Sequence, residues 1–90
     1  MDAIAQAISN FGSQKALAAG IGVQQPTVSE WLRGERPVPP KRAVRIAAHP
    51  KNVKSERPVQ RWELRPDDWW EQWPDLIGAP GAPRVPRRAA

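Results

Sequence analysis

The stretch Gln14-Lys15-Ala16-Leu17-Ala18-Ala19-Gly20-Ile21-Gly22-Val23-Gln24-Gln25-Pro26-Thr27-Val28-Ser29-Glu30-Trp31-Leu32-Arg33 decides how this chain is read. Ala18 stands four residues before Gly22, Val23 follows that glycine directly, and Val28 and Trp31 come six and nine residues after it. Two short helices joined by a glycine turn need this spacing. A small residue at 18 lets the second helix cross close by, Gly22 supplies the positive φ of the turn, and Val23, Val28 and Trp31 pack the helices into one unit. The other face of the second helix stays polar, with Gln24, Gln25, Thr27, Ser29, Glu30 and Arg33. Glutamine pairs bidentately with adenine and arginine with guanine in the major groove, so these six are the candidate base-reading residues. Three roles are open for Glu30: accepting from cytosine N4, rejecting wrong sequences, or pairing with Arg33 on the helix surface.

Working outward, Ile4, Ile8 and Phe11 follow Asp2 at helical spacing and predict a short amphipathic helix, capped by Asp2 and stopped at Gly12. Ser13 caps the next helix, whose inward face is Leu17, Ala18 and Ile21, and Gly20 weakens it by about 1 kcal/mol relative to Ala. The third helix begins at Gln24, tolerates Pro26 in its first turn and closes at Gly34. Pro37-Val38-Pro39-Pro40 is a stiff connector whose last proline opens a fourth helix carrying Ala43, Val44 and Ala47, with Pro50 at its end. Residues 50–61 read as a basic, solvated loop with little to bury and a short extended piece at Val59-Gln60-Arg61-Trp62. Pro66 to Trp73 reads as a fifth helix, with proline in first position, two acids in the first turn, Pro74 as its stop, and Trp69 and Trp73 on one face. From Gly78 onward periodicity ends. The expectation is an all-α bundle of four to five short helices over residues 1–77, followed by a disordered Pro/Arg tail over 78–90. Trp31 and His49 read as structural, whereas Trp62, Trp69, Trp70 and Trp73 form either a hydrophobic lid or part of a dimer interface.

Ninety residues leave room for one small domain and exclude a two-domain enzyme. Without cysteine, disulfides, thiolate metal sites and Cys nucleophiles are out, and a single His leaves little for metal or acid/base chemistry. No catalysis, cofactor, metal or small-molecule substrate is expected. Fourteen Lys+Arg against nine Asp+Glu give a net charge of +5, which directs attention to a polyanion. The charge is uneven. From Arg33 to Arg61 nine basic residues face only Glu35 and Glu56, whereas Trp62 to Ile77 sets five acids against Arg65. Gln14, Lys15, Arg36, Lys41 and Arg42, with Arg45 beside them, are therefore the candidate phosphate contacts, and the acidic segment should avoid DNA. No apolar run approaches the roughly 20 residues of a membrane span and no signal peptide is evident, so a cytoplasmic protein without a membrane partner is expected.

Phe11-Gly12-Ser13-Gln14-Lys15-Ala16-Leu17-Ala18 followed by Gly22-Val23-Gln24-Gln25-Pro26-Thr27-Val28-Ser29-Glu30-Trp31-Leu32-Arg33-Gly34 resembles the Cro/repressor-type helix-turn-helix proteins of phages and prophages, in particular their YdaS-like, Cro-type members. Val38-Pro39-Pro40 and Leu64-Arg65-Pro66-Asp67-Asp68-Trp69 with Trp73-Pro74 match later features of the same group, so the likeness covers residues 2–77. The resemblance implies a lambda repressor-like fold. It also implies a dimeric transcription regulator, a Cro-like repressor, that inserts the helix starting near Gln24 into the major groove of double-stranded operator DNA. Two other classes stay open: an antitoxin-like protein-interaction module, and a nucleic-acid adaptor of the phage-packaging type.

Overall fold

Asp2 accepts the backbone N–H of Ile4 at 2.8 Å and opens α1 (Ala3–Phe11), and Gly12, at φ 109°, ends it. Ser13 accepts from the Ala16 N–H at 3.0 Å and opens α2 (Gln14–Ile21). Gly22 at φ 77° turns the chain into α3 (Gln25–Leu32), and α4 runs from Pro40 to Ala48. The computed structural model describes residues 2–85, and all regular structure among them is helical. These four helices stand where the sequence puts them.

They enclose a single core of Ile4, Ala7, Phe11, Leu17, Ala18, Ile21, Val28, Trp31, Val38, Ala43 and Ile46, which Val59 and Leu64 complete from further along the chain. Trp31 is 5% exposed and belongs to that core, as its spacing implies. The inward face of α4 differs from the reading of Ala43, Val44 and Ala47. Ala43 and Ile46 are the buried pair, while Val44 is 38% exposed, because residues three apart share a helix face and neighbours do not. Gly20 also has a different meaning from a weak helix former. A Cβ there would stand 2.9 Å and 3.2 Å from Cε2 and Cδ2 of Phe11, whose ring also packs on His49 with centroids 4.6 Å apart. The glycine makes room for an aromatic ring.

The second half departs further from its sequence reading. Pro50 does not merely stop α4: it starts α5 (Pro50–Val53), where the His49 Nδ1 accepts the Lys51 N–H at 3.1 Å. Asn52, in the stretch read as a solvated loop, is fully buried. Its amide donates to the carbonyls of Ala47 and Val59 at 3.0 Å each, and its Oδ1 accepts from the Val59 N–H at 2.9 Å and from Asn10 Nδ2 at 3.0 Å. One side chain thus pins the 53–59 turn to both α1 and α4. The extended piece expected at 59–62 is instead the entry to α6 (Arg61–Leu64), closed by a reciprocal capping box of Gln60 and Glu63.

In place of one fifth helix starting at Pro66, a turn leads to α7 (Trp69–Gln72), and a 3-10 turn follows at Pro74–Leu76. Trp69 is 1% exposed and meets Trp62 and Trp70 edge-on at 6.2 and 5.9 Å. Trp73 packs against the main core, with the Arg61 guanidinium 5.4 Å from its ring centroid. Trp73 thus covers part of the main core, while Trp69 is enclosed within the Trp-rich segment itself. Arg65 secures it, forking onto Asp68 at 2.9 and 2.6 Å while donating to the Val38 carbonyl at 2.5 Å. Turns closed by Ala79 N–H to Leu76 and Ala82 N–H to Ala79, both 3.0 Å, continue the chain past Gly78, and Gly81 lies beside Trp62. Of the tail expected over 78–90, residues 86–90 lie outside the described residues. No described helix is long and apolar enough to cross a membrane.

Candidate nucleic-acid interface

The α2–turn–α3 unit presents one outward row. Gln25, Ser29 and Arg33 fall at i, i+4 and i+8 and share a face of α3, and with Pro26 and Glu30 they line a shallow open groove. Gln24 and Gln25 are exposed and Thr27 is half-buried. Gln24 stands at the N-cap position without a side-chain capping bond, so its amide is not consumed by the helix. Opposite this face, Val28 and Trp31 anchor α3 in the core, which holds the polar row rigidly outward.

The candidate phosphate contacts divide into two kinds. Lys15 and Lys41 are exposed. Gln14, Arg36 and Arg42 are already engaged. Gln14 Oε1 accepts the Ser29 hydroxyl at 2.6 Å and ties the start of α2 to the middle of α3. Arg42 and Arg45 both donate to the Ile21 carbonyl, at 3.1 and 3.4 Å, so α4 braces the end of α2 where the chain turns toward α3. Arg36 stands 3.2 Å from the Glu30 carboxylate.

This settles the ion-pair partner of Glu30. It is Arg36, not Arg33, whose Nε and NH2 instead donate to Glu35 at 2.5 and 3.2 Å. The hydrogen bond from Arg33 holds the Glu35 carboxyl below its ordinary value, and Glu35 in turn raises the guanidinium pKa. Helical spacing could not reveal this pair, since i and i+2 point apart on a helix. The turn creates it. Gly34 at φ 75° ends α3 in a Schellman arrangement, with Gly34 N–H to the Trp31 carbonyl at 3.1 Å and Glu35 N–H to the Glu30 carbonyl at 2.9 Å. The chain folds back and carries Glu35 to Arg33. Glycine after the last periodic residue was the available signal.

Among the described residues no group of three or more His, Asp or Glu could hold a metal ion. The geometry defines a class: a small all-α protein in which a helix, a tight glycine turn and a second helix present a polar face to solvent. The chain belongs to the YdaS family, described as "Bacterial toxin YdaS", whose pattern matches residues 4–73. It is 40% identical over 65 residues to YdaS of Escherichia coli (strain K12), named as a candidate transcriptional regulator, a match that spans 71% of this chain and 61% of that protein. It is 33% identical over 64 residues to the regulatory protein cro of Pseudomonas phage D3, spanning 71% of this chain and 81% of that protein. The match thus covers less than two thirds of the length of YdaS. No solved structure matches the chain.

Proposed function

We propose that this protein is a non-enzymatic, sequence-specific DNA-binding regulator that reads operator DNA in the major groove with α3. The observation that carries this reading is the rigid outward row of Gln25, Ser29 and Arg33, whose amide and guanidinium groups are the ones that recognise adenine and guanine edges. Gln24, Thr27 and Glu30 flank the row. Gln14 spends its carbonyl on Ser29 and keeps its amide N–H groups for a phosphate oxygen, beside Lys15, Arg36, Lys41 and Arg42. The names of YdaS and of the phage cro protein as regulators support the same reading.

One helix-turn-helix of this size covers little DNA. Two copies that place their α3 helices about one helical turn, roughly 34–36 Å, apart would read a two-fold symmetric site. A homodimer is part of this proposal, and the surface assigned to it is the acidic end of the molecule, where Ile77 is 52% exposed and Trp62 and Trp70 remain half-buried.

Selection of bound fragments from random DNA tests the proposal, and an enriched two-fold motif is expected. Gln25→Ala and Arg33→Ala should then each weaken binding to that motif by about 1–3 kcal/mol with the fold intact. Binding with a steep salt dependence and no enriched motif would favour a packaging adaptor. No DNA binding at all would leave a protein-partner module.

A further inference from the structure

Both arginines at the end of the reading helix are paired with a carboxylate, Arg33 with Glu35 and Arg36 with Glu30. We propose that Glu35, with Glu30 beside it, acts as an intramolecular stand-in for DNA acceptors and sets DNA affinity by holding Arg33 and Arg36 until a base edge or phosphate displaces it. The inference rests on the DNA-binding reading above.

Three features support it. The first is the contact geometry: Arg33 offers Glu35 the side edge of its guanidinium, Nε and NH2, to two oxygens. Guanine presents two acceptors, O6 and N7, to an arginine fork in the same bidentate manner. Guanine, or a phosphate with its two free oxygens, can therefore replace Glu35 without loss of hydrogen bonds, but either must first displace the carboxylate. The second is rigidity. The Schellman turn at Gly34 is closed by two backbone bonds and places Glu35 without help from its side chain, so the carboxylate is not needed to hold the turn. The third is exposure. The Arg33 and Glu35 side chains are 56% and 52% exposed, so the pair is weak and exchangeable, as a competitor must be. The Glu30–Arg36 pair extends the same arrangement, since Glu30 lines the groove beside Ser29 while Arg36 is 68% exposed.

The experiment is a double-mutant cycle on the full chain, with binding to a random-sequence duplex and to the selected motif measured across a salt series. Glu35→Gln should tighten binding to the random duplex about two- to fivefold and steepen its salt dependence by up to about 0.9 in logarithmic slope, the contribution of one freed cation. Affinity for the selected motif, whose acceptor must displace the same carboxylate from Arg33, should rise by a similar factor. In an Arg33→Ala background the Glu35→Gln effect should vanish. Equal tightening in both backgrounds would mean that Glu35 repels DNA directly, and no tightening in either would mean that it does not compete; each result overturns the proposal. A shifted melting curve for Glu35→Gln alone would assign the carboxylate to stability instead. Failure of the parent protein to bind either duplex at low salt would show, before any variant is read, that the DNA-binding reading itself is wrong and this inference with it.

Discussion

Residues 2–48 and 49–85 are held together by different physics. In the first region four helices bury a periodic apolar face, each opens with a capping side chain or a proline in its first turn, and a glycine follows each of the first three. Its stability comes from apolar side chains packed into one shared cluster. In the second, three helices of four residues each are too short to persist by hydrogen bonding along their own axis, and beside the few apolar residues they bury, single polar groups fix them in place: Asn52, the Gln60–Glu63 box, and Arg65. A shared core is lost as a whole when its centre is emptied, whereas a segment held at points opens locally at those points. The predictions below test that contrast.

The largest effect is expected in the first region. Trp31→Ala empties a large, buried side chain from the centre of the helix-turn-helix core and should cost about 3–5 kcal/mol, comparable with the whole stability of a small domain. A thermal melt followed by circular dichroism should show a largely unfolded chain, and a melt like that of the parent would refute the packing of α3. In the second region Asn52→Ala should be nearly as damaging for a different reason. It strands the buried Val59 N–H, at about 1–3 kcal/mol, and takes one partner from the Val59 and Ala47 carbonyls. Hydrogen exchange should rise first at Val59 and across 53–60 while α2 and α3 stay protected. Uniform loss of protection would mean that the two regions melt as one.

Arg65→Ala comes next, at about 1–3 kcal/mol, since it frees both the Asp68 carboxylate and the Val38 carbonyl. This latch also has a pH signature. The hydrogen bonds from Arg65 hold the Asp68 carboxyl below its ordinary value. Its folded pKa is depressed, so the stabilisation is fully present above the unfolded aspartate pKa of about 3.9 and is lost as pH falls from there through the lower folded value. Acid melts of Arg65→Ala should be flatter in that window than those of the parent, and identical slopes would show that Asp68 is not coupled to the latch. The smallest effect separates propensity from packing at Gly20. Alanine there gains about 1 kcal/mol of helix propensity, yet its Cβ would press on the Phe11 ring, and overpacking costs about 1–3 kcal/mol. Gly20→Ala should therefore leave stability unchanged or lower it by up to about 2 kcal/mol; a rise would show that the Phe11–His49 stack gives way freely.

The sequence by itself determined α1 to α4, their caps at Asp2 and Ser13, the glycine turns and the outward polar row of α3, because periodicity and capping act over four residues or fewer and leave their trace in the local pattern. It also placed Trp31 in the core. It could not show that Asn52 is buried. A polar residue in a basic stretch carries no local sign that carbonyls from Ala47 and Val59 and the amide of Asn10 will converge on it. The role of Gly20 depends on Phe11 arriving from α1, and that of Arg65 on the Val38 carbonyl, which stands 27 residues earlier in the chain. The pairing of Arg33 with Glu35 needs the left-handed turn at Gly34 to bring together side chains that helical spacing separates. Only tertiary structure decided these four, because each depends on where a distant or refolded stretch of backbone comes to rest, and the residue type alone does not encode that position.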